Sequence, residues 1–83
     1  MYPPLKALAD ETRLQILTLL KGRELYAQEI VEQLDITQPA VSRHLNLLAA
    51  AGVLQIRREG NARYYTVDGE ILRRLANALR ALA

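Results

Sequence analysis

The sequence predicts a mostly α-helical domain carrying a small β-hairpin, in the order α-α-α-α-β-β-α. Three observations predict it. Apolar residues recur at helical spacing in four stretches before Gly52 and in one after Asp68. Gly60-Asn61 separates two short runs with alternating side chains, Leu54–Arg58 and Arg63–Val67, which is a hairpin signal. Asp10, Thr37 and Asp68 stand where helices should begin, as residues able to accept from free first-turn amides.

The elements follow in order. Proline is tolerated at a first helical position, so a short helix is expected over Pro4–Ala9, with Leu5 and Leu8 on its apolar side. Asp10 caps a second helix, Glu11–Lys21, lined on one face by Leu14, Leu17 and Leu20 and closed by Gly22. Ala27–Leu34 is a short amphipathic helix burying Ile30 and Leu34, after which Asp35-Ile36 turns the chain into Thr37. Thr37 caps the fourth helix, Pro39 sits in its first turn where a missing N–H costs nothing, and Gly52 ends it. Val41, Leu45 and Leu48 bury one side of that helix. In the hairpin, Leu54, Ile56, Tyr65 and Val67 point inward and Arg57 and Tyr64 outward. Arg63 is in phase with Tyr65, so the tip must twist away from the core for it to reach a ligand. Asp68 caps the last helix, where Ile71, Leu75, Ala78 and Leu82 recur, Leu72 and Leu79 widen the stripe, and Arg73, Arg74 and Arg80 face out.

Two short helices joined by a tight turn make a helix-turn-helix, here about 27–51. The basic hairpin directly after it, about 54–67, reads as the wing of a winged helix-turn-helix, and 1–83 as one DNA-binding domain. The polar side of the fourth helix presents Gln38, Ser42, Arg43 and Asn46, a donor and acceptor set suited to base edges in a major groove of double-stranded DNA. Arg43 is the base-reading candidate, because its fork can bond O6 and N7 of guanine. Gln38 suits adenine, and Ser42 a base or a phosphate. Thr37 and Pro39 open the helix toward a phosphate, although capping alone explains Thr37. His44 reads as a hydrogen-bonding or phosphate-contacting residue, and Asn46 as reaching a phosphate or water. On the wing, Arg57, Arg58, Asn61 and Arg63 are candidates for phosphate or minor-groove contact, against the alternative that charge on strand edges resists aggregation.

Eighty-three residues, 51% apolar, suffice for one modest core. The net charge is only +2, yet between Thr37 and Tyr65 four arginines face Glu59 alone, so the excess is local. With no cysteine, disulfides and thiolate metal sites are excluded. No apolar run approaches a membrane span and no signal peptide is evident, so a cytoplasmic location without membrane contact is the default expectation. The leucines of the first and last helices exceed what so small a domain covers by itself. A twofold homodimer through Tyr2, Leu5, Leu8, Leu72, Leu75, Leu79 and Leu82, over a C-terminal dimerisation helix at about 69–82, would cover them. It would also set two recognition helices about one DNA turn apart on a palindromic site.

The segments L-A-D-E-T-R-L-Q-I-L-T-L-L (Leu8–Leu20), Q-P-A-V-S-R-H-L-N-L-L (Gln38–Leu48), A-G-V-L (Ala51–Leu54) and R-E-G-N-A-R-Y-Y (Arg58–Tyr65) resemble the ArsR/SmtB transcriptional regulators over nearly the whole chain. The resemblance implies a dimeric winged-helix repressor whose terminal helices form the interface. It also exposes a departure. Thiolate-type sensors carry two cysteines in the segment matching Glu24–Ile30, where this chain has Tyr26 and Gln28. Sensors using the last helix pair Asp and His ligands there, but the only histidine here is His44. Asp68, Glu70 and Asn77 do not make a transition-metal site, so no metal and no cofactor is expected. Control of DNA release then falls to a fused or separate sensor domain, a non-metal signal, or the protein's own abundance. The competing function is a winged-helix protein-interaction module, which has no need of a basic wing. An enzyme is not expected: no catalytic site is discernible from one histidine, no cysteine and no glycine-rich phosphate loop, and Ser42 and His44 point apart on their helix.

Overall fold

The computed structural model describes residues 2–83, which run through α1 (Tyr2–Leu8), α2 (Glu11–Leu19), β1 (Leu25–Tyr26), α3 (Ala27–Gln33), α4 (Gln38–Ala50), β2 (Leu54–Glu59), β3 (Ala62–Val67) and α5 (Gly69–Arg80). Short polar side chains set three helix starts. Asp10 accepts from the Arg13 amide at 3.1 Å, Thr37 Oγ1 from the Ala40 amide at 3.3 Å, and Asp68 Oδ1 from the amides of Glu70 and Ile71 at 3.1 and 3.4 Å. At α3 the reverse half of a capping box serves instead: Glu29 reaches back to the Tyr26 amide at 2.9 Å. Gly60 at φ +59° and Asn61 form a two-residue loop, since Glu59 pairs with Ala62. No residue but glycine has positive φ among the described residues, so the loop has the sign pattern of a type II′ turn.

The core lies where α2, α3 and α4 meet the inner face of the sheet, and Ile16, Leu20, Ile30, Val41, Leu45 and Leu48 are buried in it. Each such side chain contributes about 1.5–3 kcal/mol on burial, which holds α4 by Val41, Leu45 and Leu48 and leaves its other side free. The base of the wing is sewn to that core by backbone bonds, Val53 donating to the Leu48 carbonyl at 3.0 Å and Asp68 to the Val53 carbonyl at 2.8 Å.

Four expectations are corrected. The sheet has three strands in the order β1-β3-β2, because Leu25 and Tyr26 pair with Tyr65 and Tyr64; a two-residue strand has no periodicity to read. In α2 the buried face carries Ile16 and Leu20, while Leu14 is 49% exposed. That helix has Leu or Ile on nearly every side, so only its neighbours could choose the face. Ile56, expected inward, is 38% exposed although its cross-strand partner Tyr65 is buried, because β2 is the outer edge of the sheet and β3 its centre. Helix bounds also shift: α1 begins at Tyr2, and α2 stops at Leu19 rather than Lys21.

Candidate nucleic-acid interface

Because Val41, Leu45 and Leu48 point into the core, helical geometry turns Pro39, Ser42, Arg43 and Asn46 outward, and all four are exposed. Thr37 and Gln38 are exposed at the amino end of the same helix. No side-chain hydrogen bond or ion pair holds Arg43 among the described residues, so its guanidinium is free to meet a ligand.

His44 is placed differently from that face. It lies on the flank of α4 toward α2, half-buried, with Nδ1 3.2 Å from Nη1 of Arg13. Arginine only donates, so Nδ1 is the acceptor and the ring proton resides on Nε2. The same arginine donates through Nε to the Ala7 carbonyl and stands 3.9 Å from the Asp10 carboxylate. One side chain thereby joins α1, the cap of α2 and the recognition helix. The Asp10 carboxyl is held below its ordinary value, first by the Arg13 amide and also by the nearby Arg13 charge. Sequence reasoning passed over Arg13, since only its i,i+3 spacing from Asp10 was visible.

The wing sorts its arginines by face. Arg58 and Arg63 are direct cross-strand partners, both exposed, at the distal end of the face that buries Leu54 and Tyr65 nearer the core. Arg57 pairs with Tyr64 on the opposite face. There its guanidinium forms a bidentate pair with Glu24 at 2.7 and 3.1 Å, bonds Glu59 at 2.6 Å and lies 4.5 Å from the centre of the Tyr64 ring. Tyr64 in turn meets Tyr26 edge-on at 6.0 Å. The hydrogen bonds that Arg57 donates to Glu24 and Glu59 raise its pKa, and the bond Glu24 accepts from Arg57 lowers that of Glu24. Of the wing residues expected at DNA, Arg58, Asn61 and Arg63 are thus exposed with no acidic partner among the described residues, whereas Arg57 is committed to a brace between β2 and the start of β1. Alternation along a strand separated the two faces in advance; the acids that occupy Arg57 arrive from residue 24 and from two residues on, which alternation does not report.

Tyr26, which the resemblance sets against the cysteine-bearing segment of thiolate sensors, leans on Tyr64 in an aromatic and ionic brace. No group of three or more His, Cys, Asp or Glu able to hold an ion occurs among the described residues. No described helix is long and apolar enough to cross a membrane.

The profile described as "Bacterial regulatory protein, arsR family" matches residues 10–55, from the cap of α2 to the first residues of the wing. The chain belongs to the ArsR family. It is 42% identical over 67 residues to the transcriptional repressor SdpR of Bacillus subtilis, a match covering 81% of this chain and 74% of the relative. It is 39% identical over 70 residues to the HTH-type transcriptional regulator KmtR of Mycobacterium tuberculosis, covering 84% of this chain but only about half, 54%, of that protein. Among solved structures, an ArsR-like transcriptional regulator from Rhodococcus sp. RHA1 superposes with a TM-score of 0.86 at 31% identity, covering 98% of this chain and 76% of the other. ArsR-family members are DNA-binding transcriptional regulators with a winged helix-turn-helix, and this chain has that architecture from α2 to β3.

Proposed function

We propose that this chain is a sequence-specific double-stranded DNA-binding repressor that acts as a homodimer on a palindromic operator, with 1–83 folding as one winged helix-turn-helix unit. The observation that carries this reading is the pairing of two unpartnered cationic features: Arg43 on the outward face of α4, and the Arg58–Arg63 pair on the wing. Like charges directly opposite in a sheet cost stability, about 0.2–1 kcal/mol, and a phosphate bound between them removes that cost. Arg43 reads guanine in the major groove, Gln38, Ser42 and Asn46 contact neighbouring bases and phosphates, and Thr37 and Pro39 bring the helix start to the backbone. Asn61 rides at the wing tip. The repressor sense is supported by the printed function of SdpR.

Dimerisation is supported by apolar surface on the adjacent terminal helices, where Leu5 and Leu79 are 41% and 47% exposed, and by Leu82 in the turn just after α5, 83% exposed. Leu8 and Leu72 are half-buried at its margin. Leu75 is corrected out of that patch: at 5% exposure it is already covered within its own chain and has no area to offer a partner. Tyr2, the remaining candidate, has a side chain outside the described residues.

Selection of bound sites from a random duplex pool tests the reading. Enrichment of an inverted repeat with half-sites about one helical turn apart supports it. Binding with no enriched sequence, or none at moderate salt, overturns it.

A further inference from the structure

Where α1 crosses α4 it leaves an open cleft of about 410 Å³. Its walls are apolar and built from small side chains: Ala7, Ala50 and Ala51 make room, and Leu47 lies in it 40% exposed. Its charged lining is Lys6 and Arg13, with no acid among the described residues. The one carboxylate paired with Arg13, Asp10, is 3.9 Å away, an ion pair too long to be a hydrogen bond, so it offsets part of the guanidinium charge without occupying a donor.

We propose that this cleft binds a small apolar monocarboxylate, with its anionic head on Arg13 and Lys6 and its hydrocarbon body along Leu47 and the alanines. A concave apolar wall with few convergent polar groups is the usual make-up of a small-molecule site. With Lys6 and Arg13 in its lining and the single carboxylate of Asp10 3.9 Å from Arg13, the cleft keeps a net positive charge that favours an anion, and the planar arginine fork matches a carboxylate. The volume lies in the lower part of the roughly 300–1,000 Å³ range of such sites, which suits a short chain or a single ring better than a long acyl chain.

Occupancy has a route to the recognition helix. Arg13 Nε is taken by the Ala7 carbonyl, so a bidentate carboxylate uses Nη1 and Nη2, and Nη1 is the atom that donates to His44 Nδ1 on α4; binding in that mode competes with the bond that ties α4 to α2. His44 then loses its partner beside Arg43, and DNA affinity falls. That regulatory step rests on the DNA reading proposed above; the binding step does not.

The test is a ¹H–¹³C NMR titration of the DNA-free protein with octanoate, using 1-octanol as the uncharged control and acetate as the control without a body. His44 is the only histidine, so its ring signal is a unique reporter, and the Leu47 methyls report the wall. Octanoate is expected to give saturable shifts at both, with at least tenfold weaker binding of 1-octanol and acetate. Lys6→Glu, on the exposed side of α1, is expected to weaken octanoate at least tenfold, and Ala50→Phe, which fills the cleft from an exposed helical position, to abolish it. No saturable shift at millimolar octanoate, equal affinity for 1-octanol, or undiminished binding in both variants overturns the site. Octanoate that binds but changes DNA affinity by less than twofold overturns the regulatory step alone. A protein that takes octanoate yet binds no DNA overturns the proposed function and leaves this site standing.

Discussion

Arg58 and Arg63 face each other across the wing, direct partners in the β2–β3 register, and neither has an acidic partner among the described residues. A pair of like charges kept at the end of a ribbon is stable only because water screens it, and it is better satisfied by a shared anion. Arg58→Ala and Arg63→Ala are each expected to weaken binding to all duplex sequences alike and to flatten the slope of log K against log salt by about one. Fluorescence anisotropy across a salt series reads this directly. Unaltered slopes in both variants would remove the wing from the interface.

Arg43→Ala should act in the opposite manner. Loss of a bidentate base contact is expected to cost about 1–3 kcal/mol at one base pair of each half-site while leaving random-sequence binding nearly unchanged. Competition between the selected operator and random duplex measures the ratio; an equal loss on both would make Arg43 a phosphate contact.

The Glu24–Arg57 brace carries a pH dependence whose sign is fixed. Arg57 lowers the folded-state pKa of Glu24, so the contribution of the pair is present above the carboxyl's unfolded value and is lost as pH falls through the folded one. Hydrogen exchange at the β1 and β3 amides should therefore accelerate on acidification below the ordinary carboxylate range. In Glu24→Gln it should already be faster at neutral pH and lose part of its acid dependence. Both side chains are substantially exposed, so high salt should mimic acid in part.

Leu79 and Leu75, one helical turn apart on α5, should separate assembly from folding. Leu79→Glu, together with Leu82→Glu, is expected to yield a folded monomer in sedimentation, since both residues lie on open surface. Leu75→Ala is expected to lower stability by about 2–5 kcal/mol in urea melts, because that side chain is buried in its own chain. A dimer unaffected by the double glutamate variant would place the interface elsewhere.

Thr37→Ala removes the acceptor for the Ala40 amide and should cost about 0.5–2 kcal/mol of stability. Thr37→Asn, which can cap, should restore most of it. Thermal melts of the two variants decide this.

Read residue by residue, the sequence alone determined the features governed by local rules. Caps at Asp10, Thr37 and Asp68 placed helix starts, the Gly60-Asn61 pair placed the hairpin, and the single stripe Val41–Leu45–Leu48 left only one way for α4 to face. Tertiary structure decided whatever depended on partners distant in the chain. The face of α2 was ambiguous because its aliphatic residues surround the helix, and packing chose Ile16 over Leu14. His44 looks outward-facing in a list of polar residues, yet it turns to Arg13, thirty-one residues earlier, and Arg57 is taken by Glu24, thirty-three residues earlier. Periodicity encodes which side of an element is apolar; it carries no information about which distant charge will come to rest beside it, because that is fixed only when the helices and the sheet close on one core.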